Sequence, residues 1–144
     1  MPSPKPIKPK KFDLQTFIIG KLRAAFKRQS TYSAALNRAK AEYQVQAKNG
    51  NMQRRVHFKC AKCGKMFKKE DVAVDHIDPI GTFTTWDNFI ARLFCSLDNL
   101  QVLCSYPKKR ADQFNNVMSC HYQKTRKETE ERALAKLLTN GRRD

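Results

Sequence analysis

The chain has 144 residues, 40% of them hydrophobic, and carries 29 Lys and Arg against 13 Asp and Glu, for a formal net charge of +16 and a pI near 10.0. This size fits one small domain with tails, whose modest core would lean on a metal or on cross-links. No run approaches the roughly 20 apolar residues of a membrane span, and no apolar secretory segment follows the N-terminus, so the expected location is cytoplasmic with no membrane partner. The excess of cations predicts a polyanionic partner, nucleic acid first. In a reducing compartment the five cysteines predict a metal site before disulfides.

Residues 1–11, "MPSPKPIKPKK", alternate proline with lysine, which predicts a disordered or polyproline-like basic arm. Residues 12–50 read as an N-terminal helical region holding two helices. In the first, Leu14, Phe17, Ile18, Leu22, Ala25 and Phe26 recur at helical spacing behind a capping Asp13. The second is predicted to start after Ser30 or Thr31. It would carry Leu36, Ala39 and Tyr43 and stop near "KNGN", with Gly50 as a left-handed cap.

"VHFKCAKCGKMFKK" reads as a strand, a tight turn and a second strand, and "DVAVDH" as a short strand ending on Asp75 and His76. Asp78 and Pro79 then shape a turn. A helix over "TWDNFIARLFC" is expected to bury Trp86, Phe89, Ile90, Leu93 and Phe94, and "NLQVLC" to return as an apolar segment. Residues 105–119 form a polar, basic insert. A last helix starts near Ser119, carries Glu128 and Arg132 as an i,i+4 pair, and stops at Asn140-Gly141.

Cys60 and Cys63, with Gly64 after them, have the spacing that lets a tight turn offer two thiolates to one tetrahedral zinc. Cys104 and Cys120 are the first choice for the other two ligands. A set containing Cys95, or His57 as fourth ligand, stays open. Cys95 otherwise reads as a buried thiol acting as a small hydrophobe.

The order CxxC, "VDHIDPI", "DNLQVLC", "CHYQKT" resembles the HNH endonucleases, the zinc-stapled branch of the ββα-metal (His-Me finger) nucleases, and particularly the small bacteriophage-type members. The likeness covers residues 58–128 and implies an HNH nuclease domain over 51–140. The implied fold is α+β: a ββα-metal core with a zinc knuckle, preceded by the two helices and the arm. The implied activity is divalent-metal-dependent hydrolysis of DNA phosphodiesters, by nicking. Structural Zn²⁺ would sit on the cysteines and catalytic Mg²⁺ or Mn²⁺ at the active site. Phage members include homing nucleases and partners of genome-packaging proteins; no residue pattern separates these roles. A monomer or weak dimer in the cytoplasm of a bacterial host is expected. The alternative is a non-catalytic, zinc-stapled basic DNA-binding module.

Phosphodiester hydrolysis needs an activated water, charge neutralisation at the phosphate and help for the leaving oxygen. His76 is the candidate general base, since imidazole exchanges protons near neutrality. Asp75, on the other side of an extended strand, is free to bind the divalent cation, with His121 as second ligand. The resemblance assigns the same roles, and gives Asn99 the task of tying the loop to the backbone beside the catalytic strand. Lys124 lies one helical turn beyond His121 and is a candidate phosphate contact. Lys108, Lys109 and Arg110 make the insert a candidate DNA-reaching loop. The family closes with a short LCxxCH; here the insert splits the second cysteine pair, which puts the fourth zinc ligand in question.

Overall fold

The computed structural model describes residues 2–7 and 9–140, so the expected stop at Gly141 lies outside the described residues. The described part of the basic arm has neither helix nor strand and is exposed throughout. Helix α1 (Leu14–Phe26) starts where Asp13 accepts the Gln15 amide, and α2 (Ser30–Ala39) follows after a short turn. The apolar stripe of α1 is covered only toward its end. Phe26 is buried, whereas Leu14 and Phe17 are at least half exposed.

The second expected helix ends early. Residues 40–46, expected as helix, form strand β1 (Lys40–Gln46), which runs antiparallel to β2 (Met52–Lys59) in register from Lys40↔Phe58 to Gln46↔Met52. Ala41, Tyr43 and Val45 alternate with polar residues, and this period of two wins once a partner strand exists. "KNGN" is thus a hairpin turn and not a helix end. Gly50 sits at φ +84°, and the Asn49 side chain accepts the Asn51 amide at 3.0 Å. Strand β3 (Met66–Phe67) adds to β2 and completes a three-stranded sheet in the order β1-β2-β3.

A second sheet pairs β4 (Val72–His76) with β5 (Leu100–Cys104), antiparallel, with Asp75 opposite Gln101 and His76 opposite Leu100. Between them α3 (Trp86–Leu93) begins at Thr85, whose hydroxyl accepts the Asn88 amide. Only Phe89 and Leu93 of α3 are buried. Trp86, at 36% exposed, and Ile90, at 41%, are not core residues, because the excursion that carries them leaves that side of the helix to solvent. Helix α4 (Cys120–Asn140) starts where the buried Ser119 hydroxyl accepts the Tyr122 amide.

The molecule is therefore mixed helix and sheet with small antiparallel sheets, and two apolar clusters hold it together. One joins α1, α2 and α3 to the β4–β5 sheet through Phe26, Ala35, Phe89, Leu93 and Leu100, with Val74 and Cys95 packed against it. The other surrounds the cysteines: Phe67, Leu103, Tyr106 and Ala111, with Phe114 and Met118.

The expected projecting insert is instead part of this second cluster. Tyr106 stacks on Phe114 with ring centroids 4.0 Å apart, and its hydroxyl donates to the Val117 carbonyl at 2.7 Å. The Arg110 guanidinium closes on Asp71 at 2.7 Å, and the Asp71 side chain is only 7% exposed. A buried carboxylate needs such a partner, so the Arg110 guanidinium is engaged by Asp71. Lys108 and Lys109 stay exposed.

Candidate metal centre and catalytic cluster

The turn between β2 and β3 is built by backbone hydrogen bonds. Cys60 N–H donates to Lys65 O at 2.9 Å, and Gly64 N–H donates to Cys60 O at 3.0 Å with Gly64 at φ +73°. Ala61 N–H donates to Val102 O at 2.8 Å, which fastens the turn to β5, the strand that ends on Cys104. Cys120, at the foot of α4, donates its amide to Cys104 Sγ at 3.2 Å. The ligand atoms of Cys60, Cys63, Cys104 and Cys120 all lie within 4.8 Å of one another. Four sulfurs this close could hold one metal ion, and the chain folds the insert so that Cys120 reaches the group. Cys95 lies elsewhere, half-buried in the other cluster. His57 also stays apart: its Nδ1 meets the Tyr43 hydroxyl at 2.7 Å and its ring stacks on Tyr43.

Metal-free, the thiols differ. Burial opposes ionisation of Cys60, but backbone hydrogen bonds at Cys63, Cys104 and Lys62 outweigh it and bring its pKa down to about 7. Burial pushes Cys120 up to about 11, and it pushes Cys104 up further, with the neighbouring sulfurs adding to both. A cation would relieve this crowding by replacing protons.

The second cluster stands at the end of β4, where consecutive side chains diverge to opposite faces of the strand. On one face Asp75 meets α4: its Oδ2 accepts Gln101 Nε2 at 3.1 Å and pairs with Lys124 Nζ at 2.8 Å, while its Oδ1 lies 3.9 Å from His121 Nε2. On the other face the His76 ring packs on Phe26, centroids 5.1 Å apart, and Nε2 sits 2.9 Å from the Leu93 carbonyl. A carbonyl only accepts, so Nε2 carries the proton and the neutral ring keeps Nδ1 as its acceptor. The two faces are joined by Lys124, whose ammonium donates to the His76 carbonyl at 2.7 Å as it holds Asp75.

Asn99 closes the loop after β4 on itself. Its Oδ1 accepts the Asp78 amide at 2.8 Å and its Nδ2 donates to the Asp78 carbonyl at 3.2 Å. Ile77 N–H also donates to Asn99 O at 2.8 Å. Asp75 and His121 are thus brought together. His76 shares the strand end with its Nε2 turned to the Leu93 carbonyl, and Lys124 is engaged internally in place of facing solvent.

Two side chains beyond the sequence reading join the cluster. Gln101 bridges to Asp75, and Glu128 pairs with Lys124 at 2.8 Å in place of the expected Arg132. The i,i+4 spacing of Lys124 and Glu128 was the visible signal for the second; Gln101 had none, because strand register decides it. A cleft lined by Ser105, Tyr106, Ser119, Tyr122 and Thr125 opens beside His121.

In the comparisons with known proteins, no family model, curated protein or solved structure matches the chain.

Proposed function

We propose that the protein is a metal-dependent DNA endonuclease of the HNH type, a ββα-metal nuclease stapled by zinc on Cys60, Cys63, Cys104 and Cys120. The observation that carries this reading is the strand end itself. A carboxylate and an imidazole 3.9 Å apart stand there, next in the chain to an imidazole whose Nε2 is held by the Leu93 carbonyl. The succession of β4, β5 and α4 around them supports the ββα assignment, and Asn99 holds the connecting loop as the resemblance implies. An all-sulfur set suits zinc, and the charge of +16 suits DNA.

Asp75 and His121, 3.9 Å apart, are the residues that would hold a divalent cation between them. A Mg²⁺ or Mn²⁺ ion bound there would neutralise charge on the scissile phosphate. His76 Nδ1 would take the proton from the attacking water as its oxygen bonds to phosphorus and the phosphorus–oxygen bond to the leaving group breaks. By accepting from Nε2, the Leu93 carbonyl leaves Nδ1 unprotonated before the transfer and holds the ring in place as the imidazolium forms. Lys124 would hold Asp75 until the cation arrives, then remain near enough to meet phosphate.

The non-catalytic DNA-binding module has one observation in its favour: Lys124 already neutralises Asp75. Supercoiled plasmid with Mg²⁺ or Mn²⁺ separates the two readings. The parent should nick, His76→Ala should be slower by a factor of about 10² to 10⁴, and His121→Ala should be folded but inactive. Equal nicking by the parent and His76→Ala would reject His76 as the base. No nicking by any of them leaves the binding module.

A further inference from the structure

The β1–β2 hairpin carries more than a connection. From Glu42 to Gln46, and from Met52 to Arg55, every residue is exposed on whichever face it points to, so this two-stranded ribbon stands clear of the body. A lone two-stranded ribbon is marginal in water, and its root alone is anchored, by the buried Phe58 and by β3. Residues 40–59 hold Lys40, Lys48, Arg54, Arg55 and Lys59 against one carboxylate, Glu42.

The two faces differ. Glu42 pairs with Lys40 and Arg54 and so engages both cations of its own face. The register sets Tyr43 opposite Arg55 and Val45 opposite Gln53 on the other face, which has no acid. There the Arg55 guanidinium donates to the Gln53 amide oxygen at 3.3 Å and pairs with no carboxylate among the described residues. Tyr43, its hydroxyl bonded to His57, and Val45 stay 46% and 40% exposed.

We propose that this ribbon enters the major groove of duplex DNA with the face of Tyr43, Val45, Gln53 and Arg55 toward the bases, giving the protein a sequence preference. The proposal rests on the DNA-endonuclease reading and supplies what that reading lacks, a base-reading element. The free length of about five residue pairs spans about 15 Å, and the B-DNA major groove, about 12 Å wide and 8.5 Å deep, admits a two-stranded ribbon. Arg and Gln are the side chains whose paired groups match the edges of guanine and adenine, and an exposed Val suits the thymine methyl. The major groove of A-form RNA is deep and narrow and closed to side chains, so the partner is DNA. The position also suits the candidate active site. Lys40 and Lys59, at the ribbon's root, line one cleft of about 370 Å³ together with Gln101, the residue that bonds Asp75.

The test is selection of a random-sequence DNA duplex library on the full-length protein, without added divalent cation, for the parent, the double variant Gln53→Ala/Arg55→Ala and Arg55→Lys. Metal content and thermal midpoint serve as folding checks. The parent should enrich a short motif, and the double variant should lose at least about tenfold of the preference for it. Arg55→Lys keeps the charge, so it should lose preference at one position with the salt dependence of binding unchanged. An unchanged motif in the double variant, or full enrichment by Arg55→Lys, would overturn the proposal. So would an RNA duplex that competes as well as DNA, or a parent dimer that the double variant breaks, which would make the ribbon a self-association edge. A parent that binds duplex and nicks it without enriching any motif would sink the ribbon proposal alone. A parent that binds no duplex would sink the endonuclease reading as well.

Discussion

Lys124 shows how one side chain can decide what a site does when no ligand is near. Its ammonium bridges the Asp75 carboxylate, the Glu128 carboxylate and the His76 carbonyl. Burial opposes its charge, but the two carboxylates outweigh burial and raise its pKa above the ordinary lysine value of 10.5. A raised folded-state pKa gives stability that is fully present below the unfolded value and lost as pH rises through the folded one. The stabilisation from Lys124 should therefore be constant through neutrality and fade only above about pH 10.5. Urea midpoints of Lys124→Met and its parent should differ by a fixed amount from pH 6 to 9 and converge in strong alkali. A gap that closes on acidification would mean that another group is responsible. The same variant removes the internal counter-ion of Asp75, so Mn²⁺ should bind the candidate site more tightly in it. Unaltered Mn²⁺ affinity would detach Lys124 from the cation site. His76 is as constrained as Lys124 is shared, since its tautomer follows from one backbone carbonyl supplied by α3.

At the level of elements, residues 105–119 are the instructive segment. Read as sequence, "YPKKRADQF" is polar and basic and suggests a loop held out toward DNA. Folded, it packs Tyr106, Ala111 and Phe114 around Phe67, and Arg110 covers Asp71. That packing carries Cys120 back to Cys104 across the insert. Arg110→Ala should cost about 2–3 kcal/mol, because it strands a buried carboxylate while the partly exposed arginine gives back some hydration. Adding Asp71→Asn should recover much of the loss in urea denaturation. Additive losses in the double variant would show that the pair does not couple. Removing Lys108 and Lys109, which remain in solvent, should lower the salt slope of DNA binding by about two. An unaltered slope would place the insert away from the DNA altogether.

For the molecule as a whole, the cysteine cluster is the joint between its parts: the turn before β3, the end of β5 and the foot of α4 meet there. The apolar cores on either side are small, so a metal ion bound by the four cysteines should carry a large share of the folding free energy. Cys60→Ser should lose one equivalent of zinc and most of its cooperative unfolding, as should treatment with a strong chelator. A chelated protein with an unaltered melting transition would remove the staple from the argument. Cys104 and Cys120 keep their protons at neutrality in the metal-free state, so zinc binding should release at least two protons there. Affinity should then rise about 100-fold per pH unit near pH 7. Calorimetry in buffers of different ionisation heat counts those protons; fewer than one released would contradict the thiol ligands.

The sequence by itself determined the pieces whose signal is local. Helical spacing marked α1 and α4, alternation with turn residues marked the strands around the CxxC, and thiol spacing marked half of the cysteine cluster. The Asp75-His76 pair stood out because two such groups at a strand end are conspicuous. What the chain could not announce depends on partners far along it. Residues 40–46 carry both helical and strand periods, and only pairing with β2 selects the strand. Arg110 finds Asp71, Gln101 finds Asp75 and the Leu93 carbonyl finds His76 across long stretches of chain. Each contact follows from strand register or from the collapse of a loop onto a core. Charge pattern shows that a residue is cationic; only tertiary structure decides whether that charge meets a buried carboxylate or is left for a partner.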